Sequence, residues 1–92
     1  MINKNIREEL KEKEYNDTIL FDNPSFDNSI VGYTEEGRVI YDYSLMVSEF
    51  AKENNCTEFD AIEFIDYNTL RALPYAGEFA PIIMYRFCDA QL

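Results

Sequence analysis

Histidine and tryptophan are absent from this 92-residue chain, glycine and proline occur three times each, and cysteine occurs twice. Without histidine, the commonest general base and the commonest transition-metal ligand are missing. Two separated cysteines, Cys56 and Cys88, make no zinc set. A disulfide between them is geometrically conceivable, but their scarcity suits a reducing compartment. Glycines at 32, 37 and 77 form no phosphate-cradling loop. No apolar run approaches the roughly eighteen residues of a membrane span. The first residues are polar and charged rather than an apolar leader, so the expected location is cytoplasmic.

Positive charge is also scarce, with eight basic residues against eighteen acidic ones and a net charge of −10. Lys4, Arg7, Lys11 and Lys13 cancel Glu8, Glu9, Glu12 and Glu14, so the excess falls wholly on residues 16–92. Such a body repels phosphate, which disfavours direct binding to nucleic acid or an anionic membrane and favours a protein partner with a basic surface. Acidity also serves plain solubility.

What the chain does have is apolar and aromatic surface: 47% hydrophobic residues, including seven Tyr and seven Phe, enough for one core without a metal or disulfide. The richest stretch is Thr57 to Phe87. Thr57 followed by Asp60 predicts a helix from Glu58. At 100° per residue Ile62, Ile65, Thr69, Ala72 and Leu73 cluster on the inner side, and Asp60, Glu63, Tyr67 and Arg71 face water. Two residues break this pattern: Asp66 projects into the apolar arc and Phe64 toward the acidic face. Pro74 ends the helix, Gly77 turns the chain, and Ile82 to Tyr85 reads as the central strand.

Earlier in the chain, Asn3 or Asn5 caps a weakly amphipathic helix running to about Tyr15, with Ile2, Ile6 and Leu10 as its stripe, docked loosely on the single domain of residues 1–92. Asn16-Asp17 breaks it, and Thr18 to Phe21 reads as a short strand or extended arm. The repeat Phe21-Asp22-Asn23 and Phe26-Asp27-Asn28 reads as a loop pinned by two Phe anchors. Ser29–Tyr33 and Arg38–Tyr43 form a hairpin through Thr34-Glu35-Glu36-Gly37, with Ile30 and Gly32 on one face and Val31 and Tyr33 on the other. Asp42 or Ser44 caps a helix over 45–54, whose stripe is Met46, Val47, Phe50 and Ala51 and which ends at Asn54-Asn55. The tail from Cys88 to Leu92 reads as frayed. The expected fold is α+β, in the order α-β-β-β-α-α-β, with a three- or four-stranded, mainly antiparallel sheet under a helix pair.

Carboxylate pairs such as Glu35-Glu36, Asp60-Glu63 and Glu63-Asp66 lack the loop spacing of a divalent-cation site. A carboxylate-metal enzyme is therefore the weakest reading, and a protein with no enzymatic activity and no cofactor is expected. The remaining constellation is acid plus aromatic: Asp60, Glu63, Phe64 and Tyr67 on one helix, Tyr33, Glu35 and Glu36 at the hairpin tip, and Tyr41, Asp42 and Tyr43 on its return strand. Tyrosine adds contact area at low entropic cost, and spaced acids imitate a phosphate backbone.

The stretches AIEFIDYNTLRALPYAGEFAPIIMY and VGYTEEGRVIYDYSLMV, about two-thirds of the chain, resemble a family of short uncharacterised proteins of bacterial genomes and mobile elements. That resemblance implies no activity and no catalytic residue. Size, charge and missing chemistry lead to the expectation of an inhibitor that occupies a basic nucleic-acid-binding surface, as anti-CRISPR and anti-restriction DNA mimics do. The alternative is an interaction module or antitoxin-like protein that binds through apolar surface, its acidity incidental.

Overall fold

In a computed structural model, described for residues 6–15, 17–22 and 24–87, the chain forms a small α+β fold with a three-stranded mixed sheet. Helix α1 spans Ile6–Glu12, strands β1 and β2 span Ile30–Tyr33 and Val39–Asp42, helix α2 spans Tyr43–Asn54, helix α3 spans Glu58–Phe64, and strand β3 spans Ile82–Met84. No described helix is long and apolar enough to cross a membrane.

The hairpin closes as expected, with the Gly37 N–H donating to the Thr34 carbonyl and the Thr34 N–H to the Arg38 carbonyl, and with Gly37 at φ 99°. Exposure follows the expected alternation, with Ile30 and Gly32 half-buried and Val31 and Tyr33 exposed, although a bulge interrupts the pairing between Ile30 and Gly32. Ile30 lies opposite Tyr41 and Tyr33 opposite Val39; Ile30 packs on the core, while Val31 and Tyr33 are both exposed.

The expected antiparallel sheet with a central last strand is corrected. β3 pairs parallel with β2, Ile40 opposite Ile82 and Met84 opposite Asp42, so β2 is central and β3 lies outside it. A helical crossover covering one face delivers its strand parallel to the one it left. Thr18 to Phe21 forms no strand. It is an extended arm whose Phe21 N–H donates to the Tyr41 hydroxyl and whose Ile19 N–H donates to the Phe79 carbonyl.

Both helices of the pair, α2 and α3, start for local reasons. The Asp42 carboxylate accepts from the Leu45 N–H at the start of α2, and Asn55 closes its end in the left-handed region at φ 53°. The Thr57 hydroxyl accepts from the Asp60 N–H to begin α3. Past Phe64 the chain stays helical but changes pitch, first to a π turn over Ile65–Thr69 and then to 3-10 winding over Leu70–Tyr75, with Pro74 inside it. Helix α1 ends at Glu14, φ 64°, with the Tyr15 N–H reaching the Leu10 carbonyl and the Glu14 N–H the Lys11 carbonyl.

The core lies between the sheet and the helices and comprises Leu10, Phe26, Val39, Tyr41, Met46, Val47, Ala61 and Ile65. Phe21 and Phe26 act as the expected anchors, Phe21 packing on Tyr41 with centroids 4.6 Å apart. Phe26 is buried despite φ 54°, so its ring burial offsets a strained backbone. Arg7 ties α1 to this layer through two bonds to Asp27, both 3.0 Å, and one to the Phe21 carbonyl. The proposed caps Asn3 and Asn5, Ile2, Asn16, Asn23, the Cys88 partner of a disulfide and the tail to Leu92 lie outside the described residues; Cys56 is a free thiol.

Candidate binding surface

The buried side of α3 follows the 100° wheel only in part, since Ile65 is inside as expected but Ile62 is not. Ala61 and Ile65 are fully buried, whereas Phe59 and Ile62 are exposed. Packing decides this, because the Phe64 ring stacks on Phe50 of α2 with centroids 4.4 Å and planes 22° apart. That contact draws Ala61, Phe64 and Ile65, spaced i, i+3, i+4, against α2. Phe64 is therefore half-buried, held against the core by Phe50 while also lining a depression beside the acids. Asp66, expected in the apolar arc, is exposed and accepts a 2.8 Å hydrogen bond from the Tyr43 hydroxyl.

The four helix residues singled out from the sequence do come together. Asp60, Glu63, Phe64 and Tyr67 line one open depression, joined by Ile62, Asp66, Asn68 and Arg71. Phe64 forms part of its lining and is backed by Phe50. Tyr67 stands 66% exposed, and the Arg71 guanidinium lies 4.7 Å from its ring centroid. Glu58, Asp60, Glu63 and Asp66 are all exposed, and none is in an ion pair among the described residues. The other described arginines are engaged elsewhere: Arg7 with Asp27, Arg38 with the Ala80 carbonyl and Arg86 with Asp42.

The hairpin tip belongs to another neighbourhood, built with the end of α1. Tyr33 meets Tyr15 edge-on at 5.7 Å, and Lys13 Nζ lies 6.0 Å from the Tyr33 ring. That contact pushes the Lys13 pKa up. Glu35 and Glu36 are exposed, and the Glu35 carbonyl accepts from the Tyr15 hydroxyl.

Asp42 departs most from the expected set. Its carboxylate is buried, with one oxygen capping α2 and the other bonded to Arg86 Nε at 2.8 Å. It is an internal fastening, not a presented acid. Tyr41 is wholly buried, which pushes its phenol up to about 12. Tyr43 is likewise pushed up to about 12, first by desolvation and then by its bond to Asp66. Sequence reading missed Arg86 and the stacking of Tyr43 on Tyr85, centroids 4.9 Å apart, because both depend on β3 running parallel beside β2.

Glu49 of α2 accepts from the buried Ser29 hydroxyl at 2.7 Å, and burial together with Glu53 and Asp27 pushes its pKa up. Among the described residues no group of three or more carboxylates and thiols is placed to hold a metal ion. No family model, curated protein or solved structure matches this chain.

Proposed function

We propose that this chain is a non-enzymatic acidic binding protein that occupies a basic, nucleic-acid-binding surface of a partner protein, in the manner of anti-CRISPR and anti-restriction DNA mimics. The observation that carries the reading is the outer side of α3 and its π turn: Glu58, Asp60, Glu63 and Asp66 are exposed and without ion pairs among the described residues. With a rise of about 1.5 Å per residue, these acids fall on average about 4 Å apart along the axis, close to the ~3.4 Å per charge of one DNA strand. Arg7 and Arg86 are engaged with Asp27 and Asp42, and Arg38 with the Ala80 carbonyl, so among the described residues none of the three is paired with the acids of α3. No direct binding to nucleic acid or membrane, and no cofactor, belongs to this reading.

A capture experiment tests it. Immobilised protein is incubated with host-cell lysate at low salt and eluted in salt steps. The expected partner is a nucleic-acid-binding protein released at moderate salt and displaced by added nucleic acid. Retention of a partner that resists high salt, or of nothing basic, contradicts it.

The second reading is an antitoxin-like or other interaction module that docks through apolar surface. Phe59, Ile62 and Tyr67, exposed at 66%, 37% and 66%, favour it, since they supply contact area on the same helix. Salt-resistant capture is its expected outcome.

A further inference from the structure

We propose that the depression on α3 and its π turn is an arginine-binding site, taking the guanidinium of a side chain that projects from the partner. This rests on the reading that the surface docks on a basic protein, and it adds which basic side chain is recognised.

Three observations converge on that group. The first is a guanidinium already seated at this ring: Arg71 lies 4.7 Å from the Tyr67 centroid. Tyr67 as a residue is still 66% exposed, so beside Arg71, which lines the same depression, it retains contact area for a second guanidinium. The second is the pair of carboxylates one and two turns earlier on the same side. Asp60 and Glu63 line the same depression, and neither is in an ion pair among the described residues. The third is rigidity, because the Phe64 ring in that lining is held by its 4.4 Å stack on Phe50.

This combination suits arginine better than lysine. A guanidinium is planar and weakly hydrated, so it lies flat on an aromatic ring while its N–H fork reaches a carboxylate beside it. An ammonium is compact and strongly hydrated, and it gains mainly from the charge. The net charge of −10 draws either cation in, but ring and acids in one depression discriminate between them.

The test measures binding of two labelled peptides of equal length and charge, oligo-arginine and oligo-lysine, at low and at near-physiological salt. Wild type, Tyr67→Leu and Glu63→Gln are compared. Wild type is expected to bind the arginine peptide about threefold or more tightly than the lysine peptide, the size of an exposed cation–π contact. Tyr67→Leu keeps the charge and is expected to abolish the preference while both peptides still bind. Glu63→Gln is expected to weaken both, arginine more. Equal binding of the two peptides by wild type, or a preference that survives Tyr67→Leu, overturns the arginine site and leaves the basic-partner reading standing. Binding of neither peptide at low salt overturns both.

Discussion

Replacing Asp42 by alanine removes two interactions at once, and their separate sizes follow from where the atoms lie. The oxygen that accepts from the Leu45 N–H is an N-cap, whose loss costs about 1 kcal/mol. The other oxygen holds Arg86 at 2.8 Å in an ion pair that is 4% exposed on the Asp side and 48% on the Arg side. Because Arg86 can return to water, losing Asp42 strands no buried charge on it. The low end of a charged hydrogen bond, about 1.5 kcal/mol, is then the appropriate figure. Asp42→Ala should therefore lose about 2.5 kcal/mol, and Asp42→Asn, which keeps the cap oxygen, about half of that.

Arg86→Ala is the informative partner. It leaves a buried carboxylate with the Leu45 amide alone, so it should cost about 2 kcal/mol although it removes a half-exposed side chain. In the double variant that penalty vanishes, and the loss should be near that of Asp42→Ala rather than the sum. Urea unfolding followed by circular dichroism reads all four proteins. A loss under about 0.5 kcal/mol for Asp42→Ala, or additive single losses, refutes the fastening of β3 to β2. Because Asp42 is buried, Asp42→Asn should also leave peptide binding unchanged despite its lost charge.

Gly37→Ala should destabilise by about 1–2 kcal/mol in thermal melts, since φ is 99° and the new Cβ meets the Tyr15 ring at 3.1 Å and Thr18 Oγ1 at 3.3 Å. Tyr41 and Tyr43 keep their protons to about pH 12 in the folded chain against an ordinary value of 10, so the folded state binds more protons between those values. Stability should hold below about pH 10 and fall toward pH 12, and urea midpoints that stay level across that window contradict the burial of these phenols. The Glu49 carboxyl is raised, so its neutral form suits the fold. The stabilisation this gives is present below the ordinary carboxylate pKa and is lost as pH rises through the raised value. Glu49→Gln should raise Tm at pH 7 and show no advantage in acid, and a lower Tm at pH 7 contradicts the desolvation cost.

Local signals in the sequence carried most of the fold. Thr57, Asp42, Asn55 and Gly37 each announce their role by chemistry that acts within a few residues, and each performs it. What escaped was set by contacts distant in sequence. The wheel over 58–73 assumes constant pitch, but the chain widens to a π turn at Ile65–Thr69, and Phe50 chooses which side of α3 is buried. Hence Asp66 lies outside, against expectation, while Phe64 is held by Phe50 at the edge of the acidic depression. The apolar run Ile82–Met84 reads equally well as a central or an outer strand, and only the crossover decides that it lies parallel outside β2. Of the candidate surface, Asp60, Glu63 and Tyr67 were legible because exposed acids and aromatics recur at helical spacing. Asp42 looked the same in sequence and is buried because Arg86, forty-four residues on, reaches it.

The most direct test of the account compares lysate capture by wild type and by a Glu58→Gln/Asp60→Asn/Glu63→Gln variant, with circular dichroism confirming that both are folded. The account predicts that the basic, nucleic-acid-displaceable proteins held by wild type at low salt are lost by the variant. Equal capture by the two proteins contradicts the claim that the acidic side of α3 is the binding surface.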